Sequence, residues 1–123
     1  YRAHQTALDI QAAVEATART GTACTELYEL ARSMAEKAGL ADCFMGTRQQ
    51  AKFVGHGIGL EINEPPVLTP RSKEVLEPDM VFALEPKFVI EGSGAVGIEN
   101  SFRVTTEGLE KLTRFEEQII SLT

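Results

Sequence analysis

Residues 80–90 and 95–105 both alternate apolar and polar side chains, and the turn Glu91-Gly92-Ser93-Gly94 separates them. Alternation of this kind is the signature of a half-buried strand, and two such runs around a glycine-rich turn read as an antiparallel β-hairpin. Successive strand side chains point to opposite faces. The first run therefore sends Phe82, Leu84, Phe88 and Ile90 to one face and Val81, Ala83, Glu85 and Lys87 to the other. The second sends Val96, Ile98, Phe102 and Val104 one way and Ala95, Gly97, Glu99, Ser101 and Arg103 the other.

Pairing about Gly92 sets Glu85 directly opposite Glu99, with Cβ atoms about 4.5–5.5 Å apart. Two carboxylates this close repel unless a proton or a cation lies between them. A pair of divalent metal ions resolves the repulsion. The alternative is that Lys87 or Arg103, on the same face, neutralises them in an ordinary surface ion pair. The small neighbours Ala83, Ala95 and Gly97 leave room above the glutamates and weigh against that alternative. A slip of one residue would send the two glutamates to opposite faces, so the register carries this step.

The first 40 residues have a different period. Ala3, Ala7, Ile10, Val14 and Ala18 share one face of a helix over about residues 1–19, and Leu27, Leu30, Ala31, Met34 and Ala38 share a face over about 23–38. Gly21 separates the helices, Thr22 is a candidate cap for the second, and Gly39 is a candidate stop. His4 is expected to face solvent. The run KFVGHGIGLEINEPPVL then breaks any helix, and residues 55–59 read as a glycine-rich loop that permits close approach of a neighbouring segment or a ligand. Pro65, Pro66 and Pro70 suggest an extended surface loop after it, and Asp79 a left-handed turn. A short strand is expected near residues 109–112. His56 lies between Gly55 and Gly57, which expose an imidazole suited to Mn, Co or Zn alongside carboxylates. Taken alone, a histidine in such a loop is more often structural.

Taken together, these segments resemble the pita-bread metallohydrolases, peptidase family M24, which include aminopeptidase P, prolidase, methionine aminopeptidase and creatinase. GHGIGLEINEPPVL resembles the family's glycine–histidine signature, LEPDMVFALEP its strand ending in Ile-Glu-Pro or Leu-Glu-Pro, and GIENSFRVTTEGLEKLT its final hairpin, in the same order over nearly the whole chain. The resemblance implies an α+β fold, the C-terminal portion of the pita-bread catalytic domain, with two N-terminal helices packed on a curved antiparallel sheet. It implies His56, Glu85 and Glu99 as metal ligands, Glu99 bridging two ions, with Glu85 and His56 catalytic and Glu85 shuttling a proton. It further implies two divalent ions, Mn or Co with Zn as an option, and peptide-bond hydrolysis of the Xaa-Pro type by a metal-bound hydroxide. Asn63, Gly55 and Gly57 are the implied substrate-binding residues.

In the relatives two aspartates of an earlier hairpin complete the ligand set. That hairpin would precede Tyr1, and neither Asp9 nor Asp42 fits its motif. The chain alone is therefore expected to be inactive and to bind metal weakly or not at all. Asn63 stands where the peptidases usually carry a second histidine, Gly97 where proline-specific members often carry arginine, and Asn100 where the residue after the last ligand is Asp. Asparagine can donate a hydrogen bond but cannot exchange protons near neutral pH. These departures weigh against Xaa-Pro specificity. They keep open a non-catalytic peptide- or protein-binding module, and a creatinase-like hydrolase of a small C–N substrate stays open as well, because the substrate pocket would draw on segments outside this sequence.

The remaining features bound the partners. A chain of 123 residues, 43% hydrophobic, suits one domain with a real core. A net charge of -6 argues against nucleic acid. No apolar run approaches the roughly 18 residues of a membrane span and no cleavable leader is evident, so a soluble cytoplasmic protein is expected. Cys24 and Cys43 lack metal or disulfide spacing and read as reduced thiols. Tyr1 enters a helical pattern without a lead-in, as in a segment of something longer. A sheet lacking neighbouring strands would leave an open edge and favour a homo-oligomer.

Overall fold

The structure, a computed structural model that describes residues 1–122, begins with helix α1 (Arg2–Thr17). Its apolar stripe, Ala7, Ile10 and Val14, is fully buried. The helix ends two residues earlier than its pattern suggested, and Gly21 turns the chain at φ +91°. Helix α2 (Cys24–Lys37) follows without the expected threonine cap. The Thr22 hydroxyl instead accepts from the Arg19 amide at 3.1 Å, while the Cys24 amide donates to the Glu74 carbonyl at 3.0 Å. A crossing segment thus supplies the partner that a local cap would have given. At the other end, Gly39 sits at φ +75°, its amide donates to Glu36 and that of Leu40 to Ala35. This paired closure satisfies the last carbonyls of the helix and needs a residue tolerant of the left-handed conformation.

Seven strands make up the β layer: β1 (Gly55–Gly57), β2 (Glu64–Leu68), β3 (Val81–Leu84), β4 (Lys87–Ile90), β5 (Gly94–Gly97), β6 (Asn100–Thr105) and β7 (Gly108–Lys111). Five form an antiparallel sheet in the order β2-β1-β3-β6-β7, and β4 and β5 form a two-stranded ribbon. Helix α1 packs on α2 and reaches β4, β5 and β7, and α2 reaches β2. Between the layers lie Ile10, Val14, Leu27, Phe82, Phe88 and Phe102, with the Phe82 and Phe102 rings 5.8 Å apart across β3 and β6. No helix among the described residues is long and apolar enough to cross a membrane.

The expected continuous hairpin is present in its register but not in its continuity. Val81 pairs with Arg103 and Leu84 with Asn100, and beyond a gap Lys87 pairs with Gly97 and Ile90 with Gly94, all in the register centred on Gly92. The ladder lapses at residues 85–86 and 98–99. Pro86 has no N–H to give a partner strand, which is a local reason for the break.

Two segments expected to be loops are strands. Gly55–Gly57 is not a loop but β1, buried between β2 and β3. An alternation test cannot detect it, because glycine has no side chain to alternate. A Cβ on Gly55 would lie 2.6 Å from the Ala83 carbonyl oxygen and 2.8 Å from Leu68 Cδ1. The proline-rich stretch is extended as expected, but it is the edge strand β2, a place where a missing N–H costs no ladder bond. His4 is likewise not solvent-facing: it is buried, with Nε2 2.7 Å from the Glu117 carbonyl oxygen. The tail folds back over α1, and Glu117 takes the Lys111 ammonium at 2.9 Å and the Asn100 side-chain amide at 2.6 Å. Cys24 and Cys43 are free thiols, that of Cys24 pushed up to about 11 by burial.

Gly55→Ala should destabilise the fold by about 1–3 kcal/mol, because backbone leaves its new methyl no room; an unchanged urea midpoint would remove the packing role given to this glycine. The Lys111 ammonium, foremost, and the Asn100 amide hold the Glu117 carboxyl below its ordinary 4.5. A lowered folded-state value means that the stabilisation is present above 4.5 and fades as pH falls through the folded value. Urea titrations of wild type and Glu117→Gln should therefore differ near neutrality and converge in acid. Parallel curves at all pH would contradict it.

Candidate metal centre

Sheet geometry alone decides which side chains meet. His56 on β1 pairs with Ala83 on β3, and Ala83 pairs with Ser101 on β6. Glu85 lies two residues after Ala83 and Glu99 two before Ser101, so all three side chains project from one face of three adjacent strands. One donor atom from each of His56, Glu85 and Glu99 lies within 4.8 Å of the others. His56 Nε2 and Glu85 Oε2 are 2.9 Å apart. The donors grade outward: His56 is buried, Glu85 half-buried and Glu99 exposed.

The imidazole is oriented by its own strand. His56 Nδ1 lies 3.0 Å from the Gly57 carbonyl oxygen, which can only accept, so Nδ1 carries a proton and Nε2 faces the carboxylates. At 2.9 Å a proton or a cation lies between Nε2 and the Glu85 oxygen. The donor set of one imidazole nitrogen and carboxylate oxygens is one that Mn, Co or Zn takes, so the residues present fit a divalent cation. The ion-pair alternative does not form among the described residues. Arg103 pairs with Asp79 at 2.7 Å and with Glu110 at 3.4 Å, and no ion pair joins Lys87 to either glutamate. Asp79 holds the left-handed turn foreseen for it, at φ +70°.

Space lies on two sides of the cluster. A cleft of about 530 Å³ beside His56 is lined by Phe53, Asn63, Glu64, Pro65 and Val67, mostly apolar, with Phe53 edge-on to the imidazole. A smaller one of about 210 Å³ lies over Glu85 and Glu99 and is lined by Ala95 and Gly97, the small residues that leave room there. Asn63 is exposed at the mouth of the larger cleft. Gly55 and Gly57 do not line it. A Cβ on Gly57 would come 2.3 Å from the Pro65 carbonyl oxygen, so this glycine admits the close approach of neighbouring backbone.

A model of metallopeptidase family M24 matches residues 1–106. The chain belongs to that family. It is 35% identical over 108 residues to the Xaa-Pro dipeptidase of Pyrococcus furiosus, covering 88% of this chain and 29% of that protein. The Xaa-Pro dipeptidase structure from Bacillus anthracis superposes with a TM-score of 0.85 at 35% identity, over 96% of this chain and 32% of the other. The X-Pro aminopeptidase of Thermotoga maritima gives 0.85 at 28%, over 94% and 31%. The N-terminal domain of the FACT subunit SPT16 from chickpea, at 19% identity and a TM-score of 0.74 over 89% of this chain and 27% of that one, shows the fold alone. This is the pita-bread α+β fold, and the chain spans about a third of the length of the relatives it matches.

Two polar residues that touch this region were not singled out from the sequence as part of it. Gln11 is buried on the apolar face of α1, and Asn100, noted only as a departure from Asp, accepts from the Thr113 hydroxyl at 2.6 Å and donates to Glu117. A signal for Gln11 existed: it interrupts the helical stripe between Ala7 and Val14. Since opposed like charges destabilise a strand pair by a few tenths to about 1 kcal/mol, Glu99→Gln should leave the metal-free protein as stable as wild type or slightly more so. A clear loss of melting temperature would mean that Glu99 has a favourable partner in the metal-free fold.

Proposed function

We propose that this chain carries part of a dinuclear metal site of the Xaa-Pro dipeptidase and aminopeptidase type, with His56, Glu85 and Glu99 as ligands. The observation that supports this best is the convergence of three donors, one on β1, one just after β3 and one just before β6, with a cleft on either side. When bound, two divalent ions, Mn or Co foremost, acidify a water and polarise the scissile carbonyl. His56 contributes a fixed lone pair at Nε2. Glu85 contributes one oxygen beside that nitrogen and has a second with which to take a proton from water and return it to the departing amine. Glu99, opposite, would supply the second carboxylate to the ions. Asn63 donates a hydrogen bond from its amide to a substrate carbonyl oxygen, and the apolar walls of the cleft hold the flanking side chain.

The remaining ligands belong to residues outside this chain, so the 123-residue chain by itself is inactive and binds metal weakly. Its open sheet edges, β2 and β7, favour a homo-oligomer, and its free thiols suit the cytoplasm. A second reading, a pita-bread module that binds peptides without cutting them, draws on Asn63 and Gly97 at positions where the peptidases use histidine and arginine.

The full-length protein should cleave Xaa-Pro peptides only with Mn or Co present, and His56→Ala or Glu85→Gln should lower kcat/KM by at least about a hundredfold. Peptide binding with no turnover under any metal would favour the module instead. Equilibrium dialysis of the isolated chain against Mn should detect at most one weakly held ion; two tightly held ions would overturn the shared-site reading.

A further inference from the structure

Gln11 reaches from α1 to the point where the hairpin ladder lapses. Its Nε2 donates to the Leu84 carbonyl oxygen at 2.8 Å and to the Ile98 carbonyl oxygen at 2.9 Å. These are the carbonyls of the peptide units that lead into Glu85 and Glu99. The side chain is buried, and a flipped amide would set its oxygen against two carbonyl oxygens, so the donors fix its orientation.

The need for such a donor follows from the ladder. In a hydrogen-bonded antiparallel pair the two residues exchange both N–H···O bonds. The Ile98 amide donates to the Pro86 carbonyl at 3.3 Å, but Pro86 has no N–H to return the bond. Gln11 supplies the missing donor. On the neighbouring strand the Leu84–Glu85 peptide is held from both sides, its carbonyl by Gln11 and its Glu85 amide by the Val54 carbonyl at 2.8 Å. Val54 stands just before the β1 strand that carries His56. One side chain therefore ties together the backbone beneath both carboxylates.

We infer that Gln11 is a positioning residue that clamps the peptide units preceding Glu85 and Glu99 and so sets the two carboxylates for a shared cation. The cation is part of the reading proposed above; the clamp itself is a property of the backbone and is tested without metal. Gln11→Met keeps length and helix propensity but has no donor, and Gln11→Asn keeps the amide but falls one methylene short. Val14→Ala, one helical position row away in the same core, is the control for general loosening.

In the metal-free full-length protein, hydrogen exchange at the Glu85 and Ile98 amides should accelerate at least about tenfold in both Gln11 variants relative to the β3 and β6 amides. With Mn, affinity should fall about 10- to 100-fold, the range for loss of an outer support, and the visible spectrum of the Co-loaded protein should change. Val14→Ala should lower the melting temperature while leaving the local exchange pattern, Mn affinity and Co spectrum at wild-type values. Wild-type exchange at Glu85 and Ile98 in Gln11→Met would overturn the clamp, and so would a Val14→Ala variant that matches it in every readout. Local acceleration with no uptake of Mn by the wild-type protein would support the clamp and overturn the metal reading instead.

Discussion

Glu85 and Glu99 face each other across the gap in the hairpin ladder, and the repulsion between them has to be met by everything around it. Two cationic neighbours could have relieved it, and among the described residues neither does. Arg103 is turned to Asp79 and Glu110 and Lys87 forms no ion pair with either carboxylate, while His56, its Nδ1 held by the Gly57 carbonyl, brings Nε2 to 2.9 Å from Glu85, where a proton or a cation joins them. Individual like-charge contacts of this kind cost little. What makes the arrangement informative is that the backbone holds it in place: strand register sets the pair opposite, Val54 binds the amide of Glu85, and Gln11 binds the carbonyls leading into both residues.

The hairpin was legible because its information is local. A period of two fixes faces, a glycine turn fixes register, and the pairs Val81–Arg103 and Lys87–Gly97 fall where the turn put them. The helices were legible for the same reason, through stripes such as Ala7, Ile10 and Val14. Resemblance supplied what periodicity could not, namely that His56 belongs with two glutamates 29 and 43 positions later. The features that escaped depend on partners distant in sequence. Nothing near Gly55 says that Ala83 and Leu68 press on it, and nothing near His4 says that Glu117 arrives over it. Thr22 has the chemistry of a cap, but the Glu74 carbonyl reaches the Cys24 amide first.

Gln11 stands between these cases. A polar residue on a buried helical stripe announces that something in the core must receive its hydrogen bonds, since burying an unpaired amide is costly. The sequence therefore states the demand without naming the receiver. Pro86 states the complementary fact, a strand position unable to donate, and the link between the two is visible only once α1 lies across β4 and β5. The break in the ladder is thus a junction where a helix takes over a task that strand pairing leaves undone, at the place where the carboxylates need their backbone held.

Charge balance sets how far the cluster could go by itself. Two carboxylates with a neutral imidazole carry two negative charges, enough to balance one divalent ion. A second ion beside the first would leave an excess positive charge in a partly buried site, where effective dielectric is low and such an excess is costly. Further anionic donors are then required, and the graded exposure of the three residues indicates their side of approach. His56 closes the inner end of the site, whereas Glu99 and the small residues Ala95 and Gly97 leave the outer end open. The opening over Glu85 and Glu99 would admit the additional carboxylates and the apolar cleft beside His56 would take the substrate, so completing the charge and shaping the substrate path fall to two sides of one cluster.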